Sequence, residues 1–336
     1  MIEIHALAAL EAGRPLEAFT YTLGGLASQD CLIRVCACGV CHSDLHMIDN
    51  DWGRSRYPLV PGHEVVGEVV EVGSEVRHLK PGDRVGVGWQ RSACLQCLEC
   101  LRGNENLCAH SQATIVTGYG GFGDYLAIDA RFAFKIPAGI PTHVAGPLLC
   151  GGITVYSGLR AAGMSSGQEI GVIGVGGLGH LAVQFAGRLG NRVTVFTTSE
   201  DKARQAAALG AHRAVIVPPG ESPPPPVERL DIIISTIPYA LDAVGYLAHL
   251  AADGTLVFVG VPPEPLALPV RELVRGRRRL MGSGIGSRSR IVEMLSVAER
   301  FGVMPIVETF AMAEANEALE RVRRNRVRYR AVLLAE

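Results

Sequence analysis

Apolar and polar positions alternate loosely from 31 to 38, C-L-I-R-V-C-A-C, and this period of two predicts a half-buried strand carrying Cys31, Cys36 and Cys38. Gly39 is expected to break that strand and present Cys41 on a loop. The segment E-V-V-G-E-V-V-E-V-G, 64 to 73, sets valine against charge and predicts another strand. K-P-G-D-R-V, 80 to 85, reads as a turn feeding the next. Many short strands with Gly and Pro punctuation before residue 140 argue for a β-barrel-like N-terminal domain. From about 143 the pattern changes. P-L-L-C-G-G-I-T-V-Y-S-G-L, 147 to 159, reads as helical or helix-leading, and I-G-V-I-G-V, 170 to 175, as a buried strand. L-G-H-L-A-V-Q-F-A-G-R-L predicts an amphipathic helix with Leu178, Leu181, Phe185 and Leu189 on one face. V-T-V-F, 193 to 196, is the next strand, and K-A-R-Q-A-A-A-L-G a helix ending at Gly210. A proline-rich run at 218 to 226 predicts a stiff surface connection. L-D-I-I-I-S-T and G-T-L-V-F-V-G add two buried strands, so the whole stretch has the doubly wound parallel α/β pattern. After L-M-G-S-G-I-G, 280 to 286, a helix, a strand, a helix and a last strand, A-V-L-L, are expected to return to the first domain.

Composition narrows the function. A chain of 336 residues suits two domains, and 48% apolar against 19% charged residues supplies a large interior. A formal net charge of −1 gives no general field for nucleic acid or anionic membrane. The runs R-G-R-R-R, 275 to 279, and R-V-R-R-N-R-V-R-Y-R, 321 to 330, therefore read as solvated faces. The start, M-I-E-I-H-A-L, lacks the basic-then-apolar form of a signal peptide, and no apolar run approaches the ~20 residues that cross a bilayer. A cytoplasmic protein without nucleic-acid or membrane partners is expected.

Nine cysteines in so long a chain do not describe a secreted disulfide scaffold. Cys94, Cys97, Cys100 and Cys108 are separated by two, two and seven residues. Two-residue gaps let neighbouring thiolates chelate one ion, and the longer loop swings the fourth round to close a tetrahedron. Such a closed shell has no vacant position, so a zinc held there is structural. C-H-S-D-L-H followed by P-G-H-E offers a thiolate at Cys41 and an imidazole at His63, the beginning of a second zinc site.

G-V-G-G-L-G-H, 174 to 180, directly follows a predicted strand and opens a predicted helix, the context that gives G-x-G-x-x-G its meaning. Gly174 permits the tight turn, Gly176 close approach to a pyrophosphate and Gly179 close packing of helix on strand, while Gly177 adds slack. The helix N-terminus supplies N–H groups for phosphate. About twenty residues on, where an acid would bind the ribose 2′-hydroxyl of NAD(H), stand Thr197, Thr198 and Ser199, with Lys202 beyond. Hydroxyls and an ammonium suit a 2′-phosphate, so NADP(H) is favoured. Glu200 and Asp201 would reverse that preference if the strand ended later.

The segments C-G-V-C-H-S-D, P-G-H-E-V-V-G-E-V, the four-cysteine loop, P-L-L-C-G-G-I-T-V-Y, G-V-G-G-L-G-H, G-S-G-I-G and V-R-Y-R stand in one order. Through them the chain resembles the zinc-containing medium-chain alcohol dehydrogenases almost end to end, most of all the cinnamyl alcohol dehydrogenase-like branch and its bacterial aldehyde reductase relatives. The resemblance implies a GroES-like β-barrel catalytic domain over residues 1–148 and 285–336 and a Rossmann dinucleotide-binding domain over 149–284, usually in a homodimer, with a tetramer as the alternative. It implies two zinc ions per chain, the catalytic one held by Cys41, His63 and Cys150, and it selects Cys41 over Cys38. Glu64 is then expected behind the metal, Asp44 orienting His63, and Ser43 and His46 relaying a proton. His42 and Arg330 match positions that meet the cofactor's pyrophosphate and Thr154 one near the nicotinamide, while Leu178 and Val261 complete the cofactor-binding set. Trp52 and Trp89 match substrate-pocket positions. The segment 109–118 is shorter than in the plant enzymes, which changes the pocket rim, so the natural substrate does not carry over. The activity implied is hydride transfer between NADP(H) and a primary alcohol or aldehyde, aromatic and allylic ones included, with aldehyde reduction dominant. Alternatives are an NAD(H) enzyme, a reductase of C=N or C=C bonds (against which Ser43 and His46 stand intact), and a non-catalytic zinc- and NADP-binding protein.

Overall fold

The structure, a computed structural model, describes residues 1–262 and 264–335. The chain divides into two compact units, one of residues 1–150, 287–299 and 304 onward, the other of 151–286 and 300–303.

The first unit is built on a seven-stranded sheet with Asp30–Val40 at its centre. That strand pairs antiparallel with Glu64–Val72, Arg330–Leu334 and Tyr125–Asp129. Arg84–Val87 and Ala133–Lys135 extend the sheet on one side, and Val307–Ala311 on the other. Its core gathers Ile33, Val35, Val65, Val69, Phe122 and Leu126, each 2% exposed or less. The last strand thus does return to the first domain.

Two local expectations change here. Gly39 does not break the strand, which runs on to Val40, and Cys41 is not on a loop: it caps the helix His42–Asp49. Gly39 lies opposite Glu64 in the ladder, and a Cβ there would sit 2.0 Å from Glu64 Oε2. The glycine therefore makes room for a carboxylate and does not turn the chain. In Glu64–Val72 the predicted alternation holds only in the second half, because Glu64, Val65 and Val66 are all buried. The short turn Gly146–Leu149 covers the other face; a Cβ on Gly146 would lie 2.5 Å from the Glu64 carbonyl oxygen. That close seat delivers Cys150, the next residue, to His63.

The second unit holds a six-stranded parallel sheet ordered Arg213–Ile216, Arg192–Thr197, Glu169–Ile173, Leu230–Ser235, Leu250–Phe258, Arg279–Gly282. In chain order this is 3-2-1-4-5-6, the doubly wound dinucleotide-binding arrangement, with its switch point between the first and fourth strands. The helix Gly179–Arg188 is buried almost all round, not amphipathic as expected: every residue from Gly179 to Ala186 is buried, while Leu178 and Leu189 are only half-buried. The helix Gly151–Ala161 packs against it, so it has sheet on one side and helix on the other. The proline-rich connection is largely exposed, as expected, and anchored where the Pro224 carbonyl hydrogen-bonds His249 Nε2 at 2.9 Å. The basic runs are exposed or half-buried except at Val322 and Arg330, which are 7% and 5% exposed. No helix among the described residues is long and apolar enough to cross a membrane.

Candidate metal centres and dinucleotide turn

Cys41, the adjacent pair His63 and Glu64, and Cys150 come from three separate places in the chain. Each of these residues offers one ligand atom, and these lie within 4.8 Å of one another. Cys41 Sγ is 3.9 Å from Cys150 Sγ, and His63 Nε2 is 3.2 Å from Cys150 Sγ. A tetrahedral ion with bonds of ~2.3 Å to sulfur and ~2.0 Å to nitrogen would hold sulfurs about 3.8 Å apart and sulfur and nitrogen about 3.5 Å apart. The donor set therefore fits zinc both in chemistry and in spacing.

Asp44, fully buried, organises this centre. Its Oδ2 accepts from the Cys41 backbone N–H at 2.9 Å, and its Oδ1 from Gly62 N–H and His63 Nδ1, each at 2.9 Å. A carboxylate only accepts, so the ring proton sits on Nδ1 and the Nε2 lone pair faces the thiols. C-x-x-D is also a capping box: Cys41 Sγ accepts from Ser43 N–H at 3.5 Å while Asp44 reaches back to Cys41. One carboxylate therefore sets the helix start and the histidine tautomer together.

The electrostatics suit a cation. Hydrogen bonding with Cys150 holds the Cys41 thiol well below its ordinary value, with Arg330 and His63 assisting against burial. The Cys150 thiol is pushed well up by that same bond and by burial, since two adjacent buried thiols resist a second negative charge. Burial disfavours a charge on His63, yet Asp44 and Cys41 raise its proton affinity overall. Glu64 is fully buried and raised by burial despite its pairing with the Arg330 guanidinium. Its other oxygen, Oε2, is buried with no hydrogen-bond partner. An orphaned carboxylate oxygen beside two thiols and an imidazole is what a bound cation would satisfy.

Around this centre the two tryptophans meet. The Trp89 ring stands edge-on 5.0 Å from the His63 ring, and Trp52 lies 5.9 Å from Trp89 and 5.0 Å from His46. Ser43 is half-buried, next to Cys41. His46 shares a 2.7 Å hydrogen bond with Asp51 and is partly exposed. His42, the first helical residue, is exposed. Two neighbours were missed in the sequence, Asp51 and Arg54; the signal was their place one residue before and two after Trp52.

The four-cysteine loop also closes. Cys94, Cys97, Cys100 and Cys108 present sulfurs within 4.8 Å of one another, with Cys94 3.9 Å from Cys100 and 3.5 Å from Cys108. The helix Leu98–Leu101 and the short turn Glu105–Leu107 shape it, and backbone N–H groups of Gln96 and Cys97 hold the Cys94 thiol at about 6.

In the second unit Gly174 (φ +86°) turns the chain out of its strand, and a Cβ on Gly179 would lie 1.9 Å from the Gly174 carbonyl oxygen. Nothing lies within 4 Å of a Cβ built on Gly176, so its backbone faces open space, a cradle suited to a pyrophosphate. Gly177 is half-buried and Leu178 stands at the helix N-cap. The second strand ends at Thr197, so Glu200 and Asp201 fall on the following helix, turned toward Arg204. Thr197 is 3% exposed with Oγ1 unpartnered. Thr198 is exposed, and Ser199 caps the helix by accepting from Lys202 N–H at 3.4 Å. Lys202 is exposed, with no carboxylate partner among the described residues. Thr154 is buried in the helix Gly151–Ala161, and Val261 is 84% exposed.

Residues 27–138 match the alcohol dehydrogenase GroES-like domain and 177–300 the zinc-binding dehydrogenase domain. Over 330 residues, 98% of both chains, the protein is 45% identical to aldehyde reductase AdhA of Synechocystis. The chain belongs to the zinc-containing medium-chain alcohol dehydrogenase family. Within this family its structure resembles a cinnamyl alcohol dehydrogenase of Sorghum bicolor, at a TM-score of 0.91 and 38% identity, over 99% of this chain and 97% of that one. It equally resembles the Helicobacter pylori cinnamyl alcohol dehydrogenase crystallised with NADP(H), at a TM-score of 0.90 and 30% identity, over 99% and 98% of the two chains. The GroES-like and Rossmann architecture and oxidoreductase action on alcohols or aldehydes follow from this membership.

Proposed function

We propose that this medium-chain dehydrogenase is a zinc-dependent, NADP(H)-linked enzyme that chiefly reduces aldehydes to primary alcohols. The observation that carries the reading is the convergence of Cys41, His63 and Cys150, remote in sequence, on one buried point. A zinc ion held by these three side chains would act as a Lewis acid toward a carbonyl and would lower the pKa of an alcohol. The chain's own part is positional. Asp44 fixes a ring proton on Nδ1, so that in the neutral tautomer the Nε2 lone pair is aimed at the thiols, and Glu64 with Arg330 sets the charge behind them. Ser43, beside Cys41, and His46, at the solvent edge with Asp51, supply a route for the substrate proton: from hydroxyl to imidazole to water. That intact pair favours a dehydrogenase over a reductase of C=N or C=C bonds. Cys94, Cys97, Cys100 and Cys108 would hold a second, structural zinc.

For the cofactor, the glycine turn receives the pyrophosphate, and Thr198, Ser199 and Lys202 surround the place of a 2′-phosphate, with Thr197 bracing the strand end. The absence of an acid from that strand end favours NADP(H), as does the Helicobacter pylori relative's complex. His42, Arg330, Thr154, Leu178 and Val261 are assigned to the rest of the cofactor. We assign residues 1–148 and 285–336 to catalysis and 149–284 to the cofactor, in a homodimer. Metal analysis together with steady-state reduction of an aldehyde panel tests the reading. About two zinc per chain and far faster turnover with NADPH than NADH are expected; one zinc, or preference for NADH, would overturn it.

A further inference from the structure

The metal centre by itself leaves the substrate undefined, and Arg54 narrows it. Its guanidinium carbon lies 5.3 Å from the centre of the Trp52 ring and 5.8 Å from that of Trp89. Trp89 in turn stands edge-on to the ligand His63 at 5.0 Å, and those two short steps bound the distance from guanidinium to imidazole. Such a position is unusual for an arginine. Among the described residues no carboxylate pairs with it. The acids closest in sequence are already engaged, Asp51 with His46 and Asp49 with Arg323. A guanidinium over aromatic faces is held by cation–π attraction and desolvated on that side. Among the described residues the Arg54 side chain donates no hydrogen bond, so its N–H groups remain available as a fork matched to a carboxylate. Arg54 is exposed and Trp89 half-buried, so this fork stands at the solvent side of the wall that borders the metal ligands.

We infer that Arg54 is a specificity-determining residue that selects aldehydes and alcohols bearing a carboxylate remote from the reacting carbon, with Trp52 and Trp89 lining the span between. The tryptophans take the apolar body of the substrate, and Arg54 takes its anionic end. The inference rests on the proposal that the Cys41, His63 and Cys150 centre reduces aldehydes.

The test compares two aromatic aldehydes of one shape, 4-carboxybenzaldehyde and its neutral methyl ester, in the zinc-loaded enzyme with NADPH. Intrinsic reactivity of the pair differs, so the readout is the ratio of their kcat/KM values, compared between wild type and Arg54→Gln. A charge-assisted contact at an exposed site predicts a ratio about tenfold higher in the wild type, expressed in KM more than in kcat. Arg54→Lys should keep part of that preference, and rising ionic strength should erode it in the wild type but not in Arg54→Gln. If Arg54 only clamps the two tryptophans, its replacement changes both aldehydes alike and leaves the ratio unmoved, which overturns the inference alone. If neither aldehyde is reduced by the wild type, the reductase reading fails and this inference fails with it.

Discussion

Replacing Asp44 by Asn tests the architecture of the metal centre with almost no change of volume. The carboxylate takes three N–H donors on two oxygens, Gly62 and His63 on Oδ1 and Cys41 on Oδ2. An amide has one acceptor oxygen. If that oxygen keeps Gly62 and His63, the NH₂ group is turned on the Cys41 N–H, donor against donor, at a residue with no solvent exposure. The orphaned donor costs about 1–3 kcal/mol, and loss of charge assistance in the other two bonds about 1 kcal/mol more. If the amide flips, His63 loses its partner and with it the tautomer that aims Nε2 at the thiols. Either way the result is a loosened Cys41 or a misaimed His63, and zinc affinity at this centre should fall roughly 10- to 100-fold. The assay is zinc release to a competing chelator with a colour indicator, the four-cysteine zinc serving as internal reference, alongside thermal unfolding of the metal-free protein. Asp44→Asn should release one zinc early and the other at the wild-type chelator concentration. Release of both as in the wild type would show that Asp44 does not organise the centre.

Cys150→Ser should lower the zinc content from about two to about one per chain and abolish alcohol oxidation, leaving the four-cysteine loop loaded; undiminished turnover would remove Cys150 from the ligand set. Lys202→Glu replaces an unpaired cation with an anion, so kcat/KM for NADPH should fall about tenfold or more while that for NADH changes little. Equal losses with both cofactors would dissociate Lys202 from the 2′-phosphate. Gly179→Ala puts a methyl group 1.9 Å from a backbone oxygen that has no side-chain freedom to yield. A penalty of about 1–3 kcal/mol or more is expected, read as a lowered Tm together with weaker NADP(H) binding. A wild-type Tm would mean that the helix start shifts without cost.

Much of the molecule could be read locally. Four cysteines spaced by two, two and seven residues lie within one loop, where spacing nearly dictates geometry, and they do converge. The alternation of strand and helix after residue 169 led directly to the parallel sheet, and the glycine turn falls between its first strand and the helix beginning at Gly179. The end of the second strand also follows from local pattern, and it settles that Glu200 and Asp201 belong to the next helix.

What the sequence could not supply depends on distance along the chain. Cys41 and Cys150 are 109 residues apart, and their sulfurs meet only because the turn at Gly146 seats on the strand that begins at Glu64. Gly39 looked like a strand breaker because hydrophobic pattern carries no information about the opposing strand, where Glu64 needs the room. Gly179–Arg188 looked amphipathic because burial by a second helix is invisible to its own periodicity. Arg330 sits in a basic run that reads as solvated, yet it is buried because a carboxylate 266 residues away, itself buried, requires a partner. Local spacing determined the ligand types, the four-cysteine loop and the glycine turn; the three-residue centre and the arginine–tryptophan wall beside it exist only once long-range strand pairing has closed, because no short segment contains both halves of either.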